Sequence, residues 1–511
     1  MRNETKLLEV RIIRLAIYLL PLVSLGVHEA GFGFIEAALV PILIVFILSI
    51  FLRGFQFKRA FGKSTYINFI IFFFSLIIIS TFLSFITDNF YSTRKSLGVL
   101  ISLLILFSVY YTVSWVTTNP ATSKILAQDF VRVSVFICSM VVLQFFIVSF
   151  TGRDYVVGTL ASIARLLPYS VRLSAVDEYY SLSLWGGRYS GVLTEPGDVG
   201  IYAMPAFAII SQMLLSGYFK KNKRIFATIS LIIIVTSVTL TQSVTNIFAL
   251  SLLIAYFIFI NRKWRIRKFS KQSLIQLCLT KVIPLFAIIF FLVIVMFTYK
   301  EDINQFSPTI GSRLDELELF WSSGKFIDPF ALKDSEITNI SVGAILNSYS
   351  TAIYALQKNP LLGIGLGNFA HAFQEAAPLK AGILARLNQH DGYSMLSRLI
   401  VETGLAGLII FIYIFGSRAS QIRDFIAESK LTANPYLRNV YEHWAKLGVA
   451  ISLGSMAELA FVMLNRPSYW NIVLPLLFGI CFKSNFSFFY FDRGKDINKI
   501  AVIKTDEARN Y

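Results

Sequence analysis

The amino-acid sequence predicts an all-α polytopic membrane protein with about 12 transmembrane helices. Of its 511 residues, 55% are hydrophobic and only 15% are charged, whereas soluble globular chains carry about 25% charged residues. Long uncharged runs separate short charged segments, and about 20 apolar residues are enough for a helix to cross a bilayer. These observations exclude an ordinary soluble enzyme, a disordered chain and a small disulfide-stapled fold.

Each predicted span is an uncharged, hydrophobic run bounded by charged residues. The clearest runs lie between Lys63 and Asp88, Lys95 and Lys124, Arg132 and Arg153, Asp198 and Lys220, and Lys281 and Lys300. The run between Arg224 and Arg262 is too long for one helix, and its polar centre at Thr239–Ser243 predicts the turn of a tight membrane hairpin. Weaker runs complete the set near residues 10–27, 34–52, 397–416, 443–464 and 469–488.

The basic residues predict the orientation of these spans. Lys and Arg are concentrated in alternate connecting segments, including Arg53–Lys63, Lys220–Arg224 and Arg262–Lys268, and such segments remain in the cytoplasm. We therefore expect a multi-pass protein of the cell inner (cytoplasmic) membrane with both termini in the cytoplasm. The formal charge of +17 is then a topology signal and a contact with membrane lipids, and we expect no nucleic acid as a partner.

This orientation divides the chain into four parts. Residues 1–298 hold spans one to nine with an outer loop at 151–198, residues 299–396 form a large periplasmic cap loop, residues 397–488 hold the last three spans, and residues 489–511 are a cytoplasmic tail. Apolar residues at helical spacing predict that the cap is mostly helical: Leu314, Leu317 and Phe320, then Ile345, Tyr349 and Ile353 before Asn359-Pro360 ends the helix. Connections this long are commonly functional.

The cysteine and aspartate patterns contain no motif for a metal or cofactor. Cys138, Cys278 and Cys481 fall in separate predicted spans, without the spacing of a zinc site or redox pair. The sequence also contains no Asp-x-Asp pair, the simplest ligand motif for a metal-bound nucleotide sugar. We therefore expect no cofactor and no metal.

His390 is the candidate general base. It precedes Asp391 at the predicted mouth of a span, where a histidine beside a carboxylate can accept a proton in a partly dry site. A helix-capping cluster is the alternative interpretation, since Asp is a good N-cap residue. Glu402 lies further along the same span, and a carboxylate is costly in lipid, so its side chain is expected to face the protein interior.

Arg188 is the candidate anion-binding residue. It lies among glycines in Gly186–Gly191, and its planar guanidinium suits phosphate oxygens held bidentately. Snorkelling or local ion pairs are the alternative for each outer arginine, and the others are Arg313, Arg386 and Arg398. Gly363–Asn368 lacks the preceding strand and the Lys-Ser/Thr of a nucleotide loop, and is interpreted as a tight connector between cap helices.

An enzyme that works outside the cytoplasm needs a donor that arrives already activated. A lipid-linked diphosphate meets this requirement, and prearranged arginines can stabilise the charge that develops on it as it departs.

Two segments resemble the O-antigen polymerase and ligase superfamily, integral-membrane glycosyltransferases of the GT-C class. They are the pattern Arg188-x-Ser-Gly-Val-Leu-x-Glu-Pro and the run Asn359–Phe369, which is followed by His390-Asp-Gly-Tyr and Glu402-x-Gly-Leu-x-Gly. Asp391 stands where this family usually has Asn.

The resemblance implies a GT-C-like fold and an undecaprenyl-diphosphate-linked glycan as donor and as acceptor. Arg188, with Arg313 or Arg386, would hold the diphosphate, and His390 would take the proton of the acceptor hydroxyl. The remaining substrate-binding candidates are Glu195 and Asp391, which would orient the acceptor, Tyr393, which would stack on a sugar ring, and Arg398 and Glu402 at the start of the following span. A protein that regulates chain length is a candidate partner.

Three functions stay open at this point. A polymerase adds the growing glycan to another lipid-linked repeat unit, and a ligase adds it to lipid A core. The length of the chain and its extended cap favour the polymerase. A twelve-span transporter or lipid-glycan flippase is the more remote alternative, since the sequence has no repeat of two halves.

Overall fold

A computed structural model gives the fold of the protein. It describes residues 2–23, 39–53, 90–117, 120–152, 188–193, 196–260, 340–376, 394–428, 435–464 and 472–481, and the single positions 79, 82 and 298. Within these ranges the regular structure is helical and contains no strand. Apart from these three positions, the predicted spans at 63–88 and 281–300 and the predicted cap helix around Leu314–Phe320 lie outside the described residues.

The described residues form twelve α-helices. In chain order they are α1 (Arg2–Val23), α2 (Leu39–Arg53), α3 (Phe90–Val116), α4 (Pro120–Thr151), α5 (Val199–Leu215), α6 (Lys221–Leu240), α7 (Val244–Ala255), α8 (Ile340–Lys358), α9 (Phe369–Ala376), α10 (Met395–Glu428), α11 (Pro435–Leu464) and α12 (Val473–Ile480). A 3-10 turn at Pro196–Asp198 leads into α5, and a π-helical turn at Tyr256–Ile260 extends α7.

Six helices of the described chain are long and apolar enough to cross a membrane. These candidate spans are Ser96–Val116, Pro120–Thr151, Pro196–Leu215, Lys221–Leu240, Met395–Ala427 and Asn439–Leu464. Shorter apolar helices lie at Leu39–Phe51 and Thr245–Ile258. The helical character of the described part of the chain is therefore confirmed, and its long apolar helices fit a polytopic membrane protein. The full count of spans and the periplasmic position of the cap stay predictions.

Two local sequence signals are confirmed by the helix boundaries. α6 ends at Leu240 and α7 begins at Val244, so the polar run at the centre of the long apolar stretch is the turn of a helical hairpin. α8 ends at Lys358, directly before Asn359-Pro360, because the residue before a proline is driven out of the helical region.

The centre of the bundle is the contact between α5 and α11. Most residues of both helices are buried, whereas α6 is mostly exposed. A side chain on Gly454 of α11 would meet Ile209 Cγ1 of α5 at 2.5 Å, and one on Gly200 of α5 would collide with the ring of Phe461 in α11. Glycines therefore allow the two helices to pack closely, as is common between membrane helices.

Basic residues mark one end of this bundle. Lys220, Lys221, Lys223 and Arg224 lie at the start of α6, and Arg418 and Arg423 lie in the last part of α10. At the same end, His443 of α11 stacks on Tyr218 with 4.3 Å between ring centroids, and Lys124 Nζ of α4 lies 6.0 Å from the centre of the Trp444 ring. The basic end thus joins the starts of α4, α6 and α11 to the ends of α5 and α10.

Candidate functional site

The short segment that carries Arg188 lies against α4. The main-chain N–H groups of Ser190 and Gly191 donate to Oε1 of Gln144, at 3.0 and 2.7 Å. Gly191 has a φ of +66°, and a Cβ there would come within 2.9 Å of the main-chain nitrogen of Val141. This position therefore requires glycine for its conformation and for its close approach to the helix.

The hairpin between α6 and α7 holds the other side of this segment. The N–H of Tyr189 donates to the carbonyl of Leu240 at 3.2 Å, and Nε of Arg188 donates to the carbonyl of Thr241 at 3.4 Å. Nδ2 of the buried Asn246 donates to the carbonyl of Pro196 at 2.9 Å and to Oγ1 of Thr241 at 3.3 Å. Arg188 is therefore placed by a hydrogen-bonded junction of α4, the hairpin turn and the start of α5.

The glycine-rich connector at residues 359–368 is built into a break in α10. Gly404 interrupts that helix with φ 60° and ψ −151°. The N–H groups of Ile364 and Gly365 donate to the carbonyls of Val401 and Glu402, at 2.9 and 3.1 Å. The connector therefore donates hydrogen bonds to main-chain carbonyls that lose their helical partners at the break.

The connector also accepts hydrogen bonds from beyond the break. The N–H of Leu405 donates to the carbonyl of Pro360 at 2.9 Å, and that of Ala406 donates to the carbonyl of Leu361 at 3.1 Å. The prediction that this run is a tight connector between helices is confirmed, since it joins α8 to α9. Its hydrogen bonds to the interior of another helix were not predicted.

Further contacts fix the connector between α3 and α10. The hydroxyl of Ser96 in α3 donates to the carbonyl of Leu366, whose side chain packs against Val99 and Met395. Nδ2 of Asn368 donates to the carbonyl of Ile364 at 3.0 Å. A small apolar cluster beside it joins α8, α9 and α10 through Ala352, Ala355, Phe369, Ala372, Phe373 and Val401.

Arg398 and Glu402 form a buried ion pair in the first part of α10. Nε of Arg398 donates to Oε1 of Glu402 at 2.8 Å, and the whole residues are 7% and 0% exposed. The prediction that Glu402 faces the protein interior is confirmed. The pair lies directly before the break at Gly404, so its position depends on the connector.

The Arg188 segment and the connector lie at the same end of the helix bundle, opposite the basic end. On α4, Lys124 lies at the basic end and Gln144 lies 20 residues further along, which is about 30 Å in a helix. Phe425 lies near the end of α10, and a side chain on Gly448 of α11 would collide with its ring. This contact places the last turns of α10 at the basic end. The break at Gly404 is therefore at the other end.

An exposed cluster joins α8 to α9. Glu375 Oε2 lies 2.6 Å from Nζ of Lys358 and accepts from the hydroxyl of Tyr354 at 3.3 Å. Its Oε1 lies 3.3 Å from Nε2 of His371. The hydrogen bond from Lys358 is the main cause that holds the pKa of Glu375 below its ordinary value.

The structure describes three of the nine predicted site residues: Arg188, Arg398 and Glu402. Arg398 and Glu402 contact each other, and the described hydrogen bond of Arg188 is with the turn after α6. The other predicted site residues, Glu195, Arg313, Arg386, His390, Asp391 and Tyr393, lie outside the described residues.

Sequence reasoning missed two residues that shape this end of the protein, Gln144 and Asn246. A signal for Gln144 was present, because it is the only charged or amide side chain between Arg132 and Arg153. A strongly polar residue in a membrane helix commonly faces a functional or packed interior.

Comparison with known proteins gives a family match. Residues 203–412 match the model of a family described as O-antigen ligase. The matched range begins within α5, after Arg188, and contains α6 to α9, the connector and the broken part of α10. No curated protein shows a significant match to the chain. The family match confirms, over residues 203–412, the resemblance to the O-antigen polymerase and ligase superfamily inferred from the connector motif and from Glu402-x-Gly-Leu-x-Gly.

Proposed function

We propose that the protein polymerises undecaprenyl-diphosphate-linked oligosaccharide repeat units into a surface polysaccharide. The reaction takes place on the outer face of the cytoplasmic membrane, and its donor and acceptor are both lipid-linked. One observation carries the proposal: Arg188 is held by main-chain hydrogen bonds at the same end of the bundle as the connector and the broken α10, in a chain with an O-antigen ligase family match.

The distribution of charge supports an outward orientation of this end. The opposite end of the bundle carries the basic residues at the start of α6 and in the last part of α10, and basic segments favour the cytoplasm. The end with Arg188 then faces outward, where a lipid-linked donor is displayed.

Arg188 contributes binding and charge stabilisation to the proposed reaction. Its guanidinium presents several N–H donors in a fixed plane, which suits the oxygens of a diphosphate. As the bond between the sugar and the diphosphate breaks, negative charge accumulates on the leaving oxygen, and a prearranged cation stabilises it.

The transfer is a metal-independent, inverting displacement. The acceptor hydroxyl oxygen forms a bond to the anomeric carbon of the donor, and the bond from that carbon to the diphosphate oxygen breaks with its electron pair. His390 takes the proton of the acceptor hydroxyl, and undecaprenyl diphosphate leaves. The transition state has oxocarbenium character, which Glu195 or Asp391 would balance.

Arg398 and Glu402 are substrate-binding candidates of a second kind. Their mutual ion pair neutralises two buried charges in the first part of α10, and the pair lies next to the connector. We assign it to shaping the pocket for the acceptor glycan, with Tyr393 stacking on a sugar ring and Arg313 or Arg386 assisting Arg188.

The proposal is tested with purified full-length protein and a defined lipid-linked repeat unit, without any nucleotide. A ladder of lengthened lipid-linked products is the expected result. Failure to extend the unit, in a preparation that is folded and binds the lipid-linked unit, would overturn the polymerase assignment.

Ligation to lipid A core is the second candidate function, and the description of the matched family favours it. The two activities differ in what accumulates when the gene is deleted. Loss of a polymerase leaves surface glycans of a single repeat, whereas loss of a ligase leaves long polymer that is not attached to lipid A core. The second outcome would replace the polymerase by the ligase.

A further inference from the structure

Gln144 occupies an unusual place for an amide side chain. It lies in α4, within the candidate span Pro120–Thr151, and is 5% exposed. The other polar side chains between Arg132 and Arg153 are hydroxyls, which can bond to their own helix: Ser139 and Ser149 donate to the carbonyls of Val135 and Phe145, at 2.8 Å each. The amide of Gln144 bonds instead to the segment that carries Arg188.

The hydrogen bonds determine how the amide is turned. Two N–H groups, those of Ser190 and Gly191, point at one atom of Gln144, and only the carbonyl oxygen can accept both. The amide nitrogen is therefore on the other side, and Nε2 has no hydrogen-bond partner among the described residues. A buried donor without a partner is costly for folding.

Among the described residues, the other contacts of this segment with α4 are steric or apolar. Gly191 lies in direct contact with the main chain of α4 and has no side chain. Phe145 and Tyr189 meet edge to face with 5.4 Å between ring centroids, and apolar contacts are less directional than hydrogen bonds. The two hydrogen bonds to Gln144 are directional, and they fix the position of the segment along the axis of α4.

Arg188 is two residues before the first of these bonds. Its own Nε donates to the carbonyl of Thr241, so its guanidinium lies between a turn on one side and a segment fixed by Gln144 on the other. A shift of residues 190 and 191 along α4 would move Arg188 away from the turn and change the orientation of its guanidinium group.

From this arrangement we infer that Gln144 is a positioning residue, which holds Arg188 in the geometry that binds a diphosphate. The inference rests on the proposed function, because it takes the ligand of Arg188 to be the diphosphate of a lipid-linked glycan. The free-energy cost of burying Nε2 of Gln144 without a hydrogen-bond partner is then explained by the positioning of Arg188 for ligand binding.

The test measures binding of undecaprenyl diphosphate to the full-length protein in lipid nanodiscs. This probe is the leaving group of the proposed reaction, so the sugar need not be known. Gln144→Leu is expected to weaken binding by about tenfold or more, because a small misplacement of a binding group costs up to about 10²-fold. Ser139→Ala removes a polar group of the same helix and is expected to bind like wild type.

Two further variants separate positioning from general stability. Gln144→Glu keeps an oxygen that can accept both N–H groups, and it is expected to bind more tightly than Gln144→Leu. In the Arg188→Ala background, Gln144→Leu is expected to cause no further loss, because residues that act through one another are not additive. Equal loss in the Leu and Glu variants, or an additive double variant, would overturn the inference.

The outcomes also separate this inference from the proposed function. If Arg188→Ala binds undecaprenyl diphosphate like wild type, the diphosphate assignment of Arg188 fails. If Arg188→Ala loses binding while Gln144→Leu keeps it, the positioning role of Gln144 fails and the assignment of Arg188 stands.

Discussion

Gly363 and Gly404 approach each other so closely that neither position has room for a side chain. A Cβ on Gly363 would lie 2.6 Å from the main-chain nitrogen of Gly404, and a Cβ on Gly404 would lie 2.6 Å from that of Gly363. Both residues have positive φ, +67° and +60°. The connector and the broken helix therefore meet main chain to main chain.

Alanine at either glycine is expected to destabilise this contact. A backbone conformation with this positive φ costs an alanine about 1–3 kcal/mol, and the collision with main-chain atoms adds to that cost. Gly416→Ala is the matched control, since Gly416 lies in the same helix with open space around it. Thermal unfolding of the purified variants measures the effect, and a Gly363→Ala protein as stable as the control would contradict the described contact.

Replacement of Arg188 by lysine is expected to impair the reaction although the charge is kept. A point charge cannot replace a planar fork that binds two oxygens, and a lost hydrogen bond to a charged group corresponds to about 10–100-fold in activity. The rate of product-ladder formation with the lipid-linked repeat unit is the measurement. A lysine variant with wild-type rate would show that Arg188 does not act as a bidentate clamp.

His390→Ala is expected to abolish chain lengthening while the protein still inserts into the membrane. Loss of a general base costs about 10²–10⁴-fold. His371→Ala is the matched control, because this second histidine of the same predicted loop lies in the exposed cluster with Glu375, and it is expected to lengthen chains normally. Wild-type polymer from the His390 variant would remove this residue from the mechanism.

Removal of Glu402 alone is expected to destabilise the protein. Glu402→Ala would leave the buried guanidinium of Arg398 without this carboxylate, and breaking a buried ion pair costs about 3–5 kcal/mol. The double variant Arg398→Met with Glu402→Leu is expected to recover stability but to lose activity, since the pocket loses its polar groups.

The control for this pair is Asp424→Ala. Asp424 lies in the same helix, is 48% exposed and has Arg423 at 3.8 Å, and an exposed pair of this kind contributes about 0–1 kcal/mol. Thermal unfolding in detergent compares the three variants. A double variant with full activity would exclude Arg398 and Glu402 from substrate binding.

The exposed cluster predicts a weak dependence of stability on acid pH. The pKa of Glu375 is lowered in the folded protein, chiefly by the hydrogen bond from Lys358. A lowered carboxyl pKa stabilises the fold above the ordinary glutamate pKa of about 4.3, and this stability is lost as the pH falls through the folded value. The melting temperatures of wild type and Glu375→Gln should therefore differ at pH 7 and converge as the pH falls through the folded pKa of Glu375. A difference that persists in acid would contradict this assignment.

The helical hairpin of α6 and α7 shows what the sequence could predict. Length, hydrophobicity and a polar centre are local properties, and they were sufficient to place the turn between Leu240 and Val244. The end of α8 was predictable for the same reason, since Asn359-Pro360 acts on the residues next to it.

The break at Gly404 could not be predicted in this way. Glycine is frequent in membrane helices, and nothing near Gly404 in the sequence identifies this one as an interruption. The partners of the freed main-chain groups lie about forty residues earlier, at Pro360 to Gly365. The role of Gln144 is likewise non-local, because its bonds reach residues 190 and 191.

The partner of Arg398 could be predicted from its spacing, although the resemblance suggested a ligand for this residue. Residues four positions apart on a helix are neighbours, and Arg398 and Glu402 have that spacing. The roles of His390, Asp391 and Tyr393 stay predictions that rest on the resemblance of their motif.

The interruption of α10 has a consequence for biogenesis. An apolar helix normally enters the bilayer alone, because all its peptide groups bond within the segment. α10 lacks that independence at Val401–Ala406, where its peptide groups bond to a stretch synthesised earlier. Completing this span and docking residues 360–365 must therefore be one coupled event, and a chain in which the earlier stretch is displaced would expose open peptide groups to lipid.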